Sequence, residues 1–251
     1  MSKIDQYREH LRQMCDWDSF LLAESRLPGP RSNLELAQAA ADEGDITQFL
    51  SWLALDATAA PVNTPGEFLP LCGAMGLGRL LAEGDLTLLP RLRAAANDPR
   101  WRLREGVAMA LQRWGAADMP ALLAEMARWA AGSRYEQRAV VAALCEPPLL
   151  HDRAVAEQVL GILNGITATI PGAADRREDG FIALRKALGY GWSVAVVAAP
   201  EAGRLMLEEL AGSASTDVQW IVRENLSKQR LNRLDAGWVP ALRQQLKQEA
   251  T

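Results

Sequence analysis

Three segments carry an Asp, a large apolar residue three positions on, and an Arg three further: Asp98–Trp101–Arg104, Asp179–Ile182–Arg185 and Asp217–Trp220–Arg223. A fourth, Tyr135–Arg138, keeps the last two and has Gly132 where the Asp would stand. In this spacing a carboxylate can cap a helix and take a charge-assisted bond from the Arg of its own or the next unit. A ring one turn from an Arg can stack on it. Two chemistries follow. Paired, the groups make a structural ladder. Unpaired, Arg104, Arg138, Arg185 and Arg223 make a phosphate-binding ridge. All but Arg138 bring their own carboxylate, so the ladder is the expected arrangement. Arg223 is then expected within reach of Asp217 or the Asp179 unit, and withdrawn from solvent.

Eight Trp residues stand out in a chain with three Tyr and four Phe. Trp101, Tyr135 and Trp220 fall off the apolar stripe of their helices. They either pack between successive units, the favoured reading, or line a groove that takes a peptide or an unstacked base. Trp192 and the Glu224–Asn225 pair join the groove candidates. Cys145 stands before Glu146-Pro147-Pro148 at a helix end, where the macrodipole raises a thiol's pKa. With His151 six residues away across two prolines, it makes a poor nucleophile. Gly73, Gly76 and Gly78 lie in a helical pattern with no preceding strand and no following Lys, so they imply close helix approach rather than a phosphate loop. Two His and three scattered Cys offer no metal set, and no cofactor is expected.

Caps and breakers place the elements that hold these residues. Helices are expected over 3–25, 32–41, 46–55, 67–82, 85–96, 100–114, 119–131, 134–145, 153–169, 179–197, 201–211, 218–231 and 236–249. The longest loop, 56–64, joins a front section to a regular array. In the 100–114 helix, Leu103, Val107, Ala110, Leu111 and Trp114 share one stripe about 100° wide, a core face. The last helix is expected to turn Trp238 and Leu242 inward, with Arg243, Gln244, Gln245, Lys247 and Gln248 outward.

Ala and Leu dominate, and no stretch alternates with period two, so an all-α fold is expected. Measured on the Arg, the motif recurs at steps of 34, 47 and 38 residues, the mark of a helical repeat array. Residues 1–90 hold 6 Lys/Arg against 13 Asp/Glu, and residues 91–251 hold 21 against 18. Nucleic-acid binders are usually far more basic. Three odd, unpaired cysteines and a polar N-terminus suit a cytoplasmic protein. The longest apolar run, Val194–Pro200, falls far short of a membrane span.

Asp-x5-Arg preceded eight residues earlier by Pro, as in Pro90–Asp98–Arg104 and Pro171–Asp179–Arg185, resembles the HEAT-repeat pattern. The third copy departs from it, with Glu209 in place of the Pro. The resemblance covers about residues 90–235. It implies an α-solenoid, a right-handed superhelix of about six antiparallel helix pairs whose Asp–Arg pairs link neighbouring repeats. One solenoid is expected over 1–251, with residues 1–60 as an atypical cap and 65–251 as repeats. It implies a protein or peptide partner along a concave groove, without catalysis. HEAT-like folds also include DNA glycosylases that excise alkylated bases using a Trp and an Asp. Phe181–Pro200 is faintly similar to a helix of that class, and Trp114 with Asp118, or Trp220 with Glu224, would supply the aromatic and the acid. A nucleic-acid ligand is therefore the alternative.

Overall fold

The computed structural model describes residues 1–248, and these form fifteen α-helices with no strand. Glu249 and the side chains of Lys247 and Gln248, expected on the polar face of the last helix, lie outside the described residues. The chain divides into two compact units, Met1–Met119 and Pro120–Thr251.

The first unit holds α1 (Lys3–Arg12), α2 (Trp17–Glu24), α3 (Leu34–Glu43), α4 (Ile46–Leu53), α5 (Phe68–Ala82), α6 (Leu89–Ala96) and α7 (Trp101–Ala117). The single helix expected over 3–25 is two. Asp16 accepts from Ser19 N at 3.1 Å and starts a new helix, while Trp17 Nε1 donates to Leu11 O at 2.9 Å. Local capping thus overrides a continuous apolar pattern. The α3 cap is Asn33 rather than Ser32, accepting from Leu36 N at 3.3 Å. Its last turn is closed by Arg79, which donates to Ala41 O at 2.9 Å and Gly44 O at 2.7 Å, a cation at the negative end of the helix dipole.

Helix α5 is the centre of this unit and packs on α2, α3, α4, α6 and α7. Gly76 and Gly78 permit that. A Cβ at Gly76 would stand 2.3 Å from the Phe49 ring, and one at Gly78 would stand 2.4 Å from the Ala110 Cα. The stripe read on α7 is the core face, with Leu103, Val107, Ala110, Leu111 and Trp114 all buried. The 56–64 loop is tied into the unit, because Arg100 donates to Asp56 O at 3.1 Å and Ala60 O at 3.2 Å.

The second unit holds α8 (Met119–Trp129), α9 (Arg134–Leu144), α10 (Arg153–Ala168), α11 (Asp179–Ala198), α12 (Pro200–Ala211), α13 (Thr216–Leu226), α14 (Gln229–Leu234) and α15 (Trp238–Gln248). The helix expected over 218–231 is interrupted after Leu226 and resumes as α14. Helices α9, α11 and α13 run parallel, side by side. Gly180 meets Arg134 and Gly191 meets Val141 and Cys145, while Gly189 meets Trp220 and Glu224. Helix α11 is long and apolar enough to cross a membrane by length and composition, but its Leu184, Leu188 and Trp192 are buried in the unit's core. On α15, Trp238 and Leu242 are buried, and Arg243, Gln244 and Gln245 are exposed.

Candidate functional site

Among the described residues, Trp101 is the most exposed of the tryptophans considered for a groove, at 44%. It opens α7, its neighbour Arg102 lies with its guanidinium 4.4 Å from the ring centroid, and both line a cleft of about 480 Å³. The other walls come from the loop between α2 and α3 (Arg26, Pro30, Arg31, Ser32), from Leu34 and Glu35, and from Leu71, Glu105 and Met109. Leu34 is also 44% exposed. An exposed Trp and an exposed Leu on one cleft, edged by guanidinium groups, suit a side-chain anchor with a charged neighbour.

A buried ion pair fixes this geometry. Glu67 is fully buried and Arg102 nearly so. Arg102 donates from Nη1 to Glu67 Oε2 at 2.8 Å, and from Nη2 to Gly29 O at 2.5 Å and Asn63 Oδ1 at 3.2 Å. Asn63 N donates to Glu67 Oε2 at 2.7 Å, and Gly29 N to Asn63 Oδ1 at 3.0 Å. The network binds the start of α7 to the loop that carries Arg26 and Arg31. Among the described residues, Arg102 Nε and Glu67 Oε1 are buried without a hydrogen-bond partner. Arg26 lies at φ 62°, a left-handed conformation unusual for a side-chain-bearing residue. The adjoining chain is held by Leu27 N to Ser25 Oγ at 3.1 Å and Asn33 N to Ser25 O at 3.0 Å.

The other residues picked out by the motif are distributed differently. Arg104 closes the turn before α7 by donating to Asp98 O at 2.6 Å and Pro99 O at 2.8 Å. The Asp98 carboxylate is taken instead by Arg100, from Nε and Nη2, each at 2.8 Å. Asp217 is buried and paired with Arg185 of α11 and with Arg176, the latter at 3.2 Å. The pairing expected for Arg223 is therefore corrected. Arg223 is exposed and, among the described residues, donates only to Gln219 Oε1 at 3.5 Å. Six residues beyond Asp217, about 240° round the helix, Arg223 stands on the solvent side of α13, whereas Arg185 approaches from the parallel neighbour. Nor do the Asp residues cap their helices: Ser215 caps α13, and α7 and α11 have no side-chain cap.

Trp192 is fully buried and donates to Thr167 Oγ1 at 3.0 Å, so it belongs to the core and not to a groove. Asn225 is likewise fully buried. Its Oδ1 accepts from Ser193 N at 2.8 Å, and its Nδ2 donates to Leu188 O at 2.9 Å and Ile221 O at 2.8 Å, clamping α13 to α11. Trp220 is half-buried beneath Arg185, whose guanidinium lies 4.6 Å from the ring centroid. Glu224 is half-buried and faces Lys228 at 3.4 Å. Tyr135 and Arg138 are half-buried on α9.

Burial pushes the Cys145 thiol up to about 12, and raises that of Cys72 still further, so neither supplies a thiolate at neutral pH. Among the described residues, no three His, Cys, Asp or Glu side chains gather as a metal set. Glu67, Arg102 and the Arg26–Arg31 loop do not stand out in the sequence. Two arginines around Pro28-Gly29-Pro30 were a visible signal, but that stretch reads equally as a helix stop, and nothing in a Pro-Gly-Glu turn marks Glu67 as buried. Comparison with known protein families, with characterised proteins and with solved structures gave no match.

Proposed function

We propose that the chain is a HEAT-like helical repeat protein, cytoplasmic and without catalysis, that binds a peptide segment of a protein partner in the Trp101 cleft. The parallel row α9, α11, α13 and its Arg185–Asp217 link support the repeat reading, since parallel inner helices joined by acid–base pairs are what such a ladder requires. The observation that carries the functional reading is the cleft itself. It places an exposed Trp and an exposed Leu beside three guanidinium groups, on a rim held by a buried ion pair. Aromatic and Arg side chains are the residue types that dominate binding energy at protein interfaces.

Base excision rested on two aromatic–acid pairs, Trp114 with Asp118 and Trp220 with Glu224. Trp114 is buried at 2% exposure, and Trp220 is stacked under Arg185, which favours the peptide reading. The test is a photo-crosslinking side chain placed at Leu34 and, as a control, at the exposed Leu205. Discrete adducts from Leu34 that vanish with Trp101→Ala are expected. Equal adducts from both positions, or base release from alkylated DNA by the wild type, would remove the proposal.

A further inference from the structure

On the reading of the Trp101 cleft as a peptide site, we infer that the peptide it takes is acidic: an Asp or Glu carboxylate held by Arg31, beside a large apolar side chain laid on Trp101, Leu34 and Met109. The charges of the lining carry this. Arg26 is shared with Glu35 at 3.6 Å, and Arg102 is committed to Glu67 at 2.8 Å. Arg31 is exposed and, among the described residues, its side chain has no ion pair or hydrogen bond. Among the described residues it is the one arginine of the cleft without a counter-ion, and a ligand carboxylate supplies one.

Two further features favour an anion at the same place. Helix α7 is 17 residues long and begins at the cleft with Trp101 and Arg102, and its N-cap residue Arg100 makes no side-chain cap bond. Its first-turn amides add positive potential, part of it answered by the Asp98 carboxylate, which accepts from Arg100 N at 2.8 Å. Arg102, 3% exposed and lining the cleft, has a buried Nε with no acceptor among the described residues. The anion is a single carboxylate rather than a polyanion, because Arg26 is shared with Glu35 and Arg102 with Glu67, which leaves Arg31 to meet it. A nucleic-acid backbone would bring several charges to Arg31, whereas one acidic side chain meets it and leaves the apolar floor for its neighbour.

The test selects random short peptides on the full chain, then measures the enriched peptide by fluorescence polarisation. Its partners are the same peptide with Asp and Glu changed to Asn and Gln, and a labelled single-stranded oligonucleotide. Arg31→Glu, Arg31→Ala and Trp101→Ala are compared with the wild type, with folding of each checked by circular dichroism. Arg31 is exposed, so its variants should fold. The expected result is acidic, apolar-flanked peptides whose affinity falls about tenfold or more on neutralisation and on Arg31→Glu, and less on Arg31→Ala. If neutralised peptides bind equally well yet are lost with Trp101→Ala, the peptide site stands and its acidic specificity is overturned. If no peptide depends on Trp101, or the oligonucleotide binds more tightly than any peptide and through Arg31, the site itself is overturned along with its specificity.

Discussion

Asp217 is buried and holds two guanidinium groups, so Arg185→Ala leaves a carboxylate that, among the described residues, has only the more exposed Arg176 to neutralise it. The expected loss is about 1–3 kcal/mol in a urea melt, below that of a fully buried pair because part of the Arg185 side chain reaches water. Arg185→Lys should recover only part of it, since an ammonium neither forks to the carboxylate nor stacks as well on Trp220. Arg223→Ala, at an exposed position, should stay within about 0.5 kcal/mol of wild type; a loss matching that of Arg185→Ala would show that the motif's own Arg closes the ladder. Arg102→Met tests the buried pair at the cleft. Stranding Glu67 should cost about 3–5 kcal/mol, and a melt indistinguishable from wild type would contradict the network described for it. The types of these residues were legible from their spacing, because an Asp and an Arg recurring around a helix start have few other uses. Their pairing was not. Which Arg reaches Asp217 depends on the register of α11 against α13, and one sequence does not encode that register in any local pattern.

Helix α13 is fastened to α11 by one polar residue. Asn225→Leu removes the acceptor for Ser193 N and the donors to Leu188 O and Ile221 O in a fully buried setting, and a loss of about 2–3 kcal/mol is expected by denaturant unfolding. A neutral result would mean that α11 and α13 close without it. On α5, Gly78→Ala gains about 1 kcal/mol of helix propensity but drives a methyl group into the α7 backbone, 2.4 Å from the Ala110 Cα. The net effect should be a clear fall in melting temperature, and a rise would show that α5 and α7 have room to separate. The all-α character and most helices were readable from caps and apolar period, as were the close-approach glycines and the core stripe of α7. The breaks were not. Asp16 and Trp17 divide the first helix through a cap and an indole bond to Leu11 O, both of which depend on a turn that the apolar pattern runs straight through.

At the scale of the molecule, stability should weaken in acid through carboxylates whose protons the fold repels. Glu43 is held below its usual value of 4.5, chiefly by the Arg12 guanidinium and then by Arg8. Asp235 and Asp56 are lowered mainly by backbone N–H donors. A group depressed on folding leaves the unfolded chain binding more protons, so its contribution is complete above the unfolded value and disappears as pH falls through the folded one. The melting-temperature gap between wild type and Glu43→Gln should hold from about pH 5.5 to neutral and close in stronger acid; a gap unchanged down to the acid limit would exclude the ion pair as its source. The cleft is where the sequence spoke least, since its walls come from Arg31, Leu71 and Trp101, residues far apart in the chain and brought together by the packing of α3, α5 and α7. The claim that binding resides there, and not along the buried or stacked Trp192 and Trp220, is tested most directly by calorimetric titration of the Leu34-crosslinked partner segment into Trp101→Ala. An affinity loss of about 30-fold or more with an unchanged melting temperature is expected. Wild-type affinity, or a fall in melting temperature as large as that of Trp192→Ala, would contradict it.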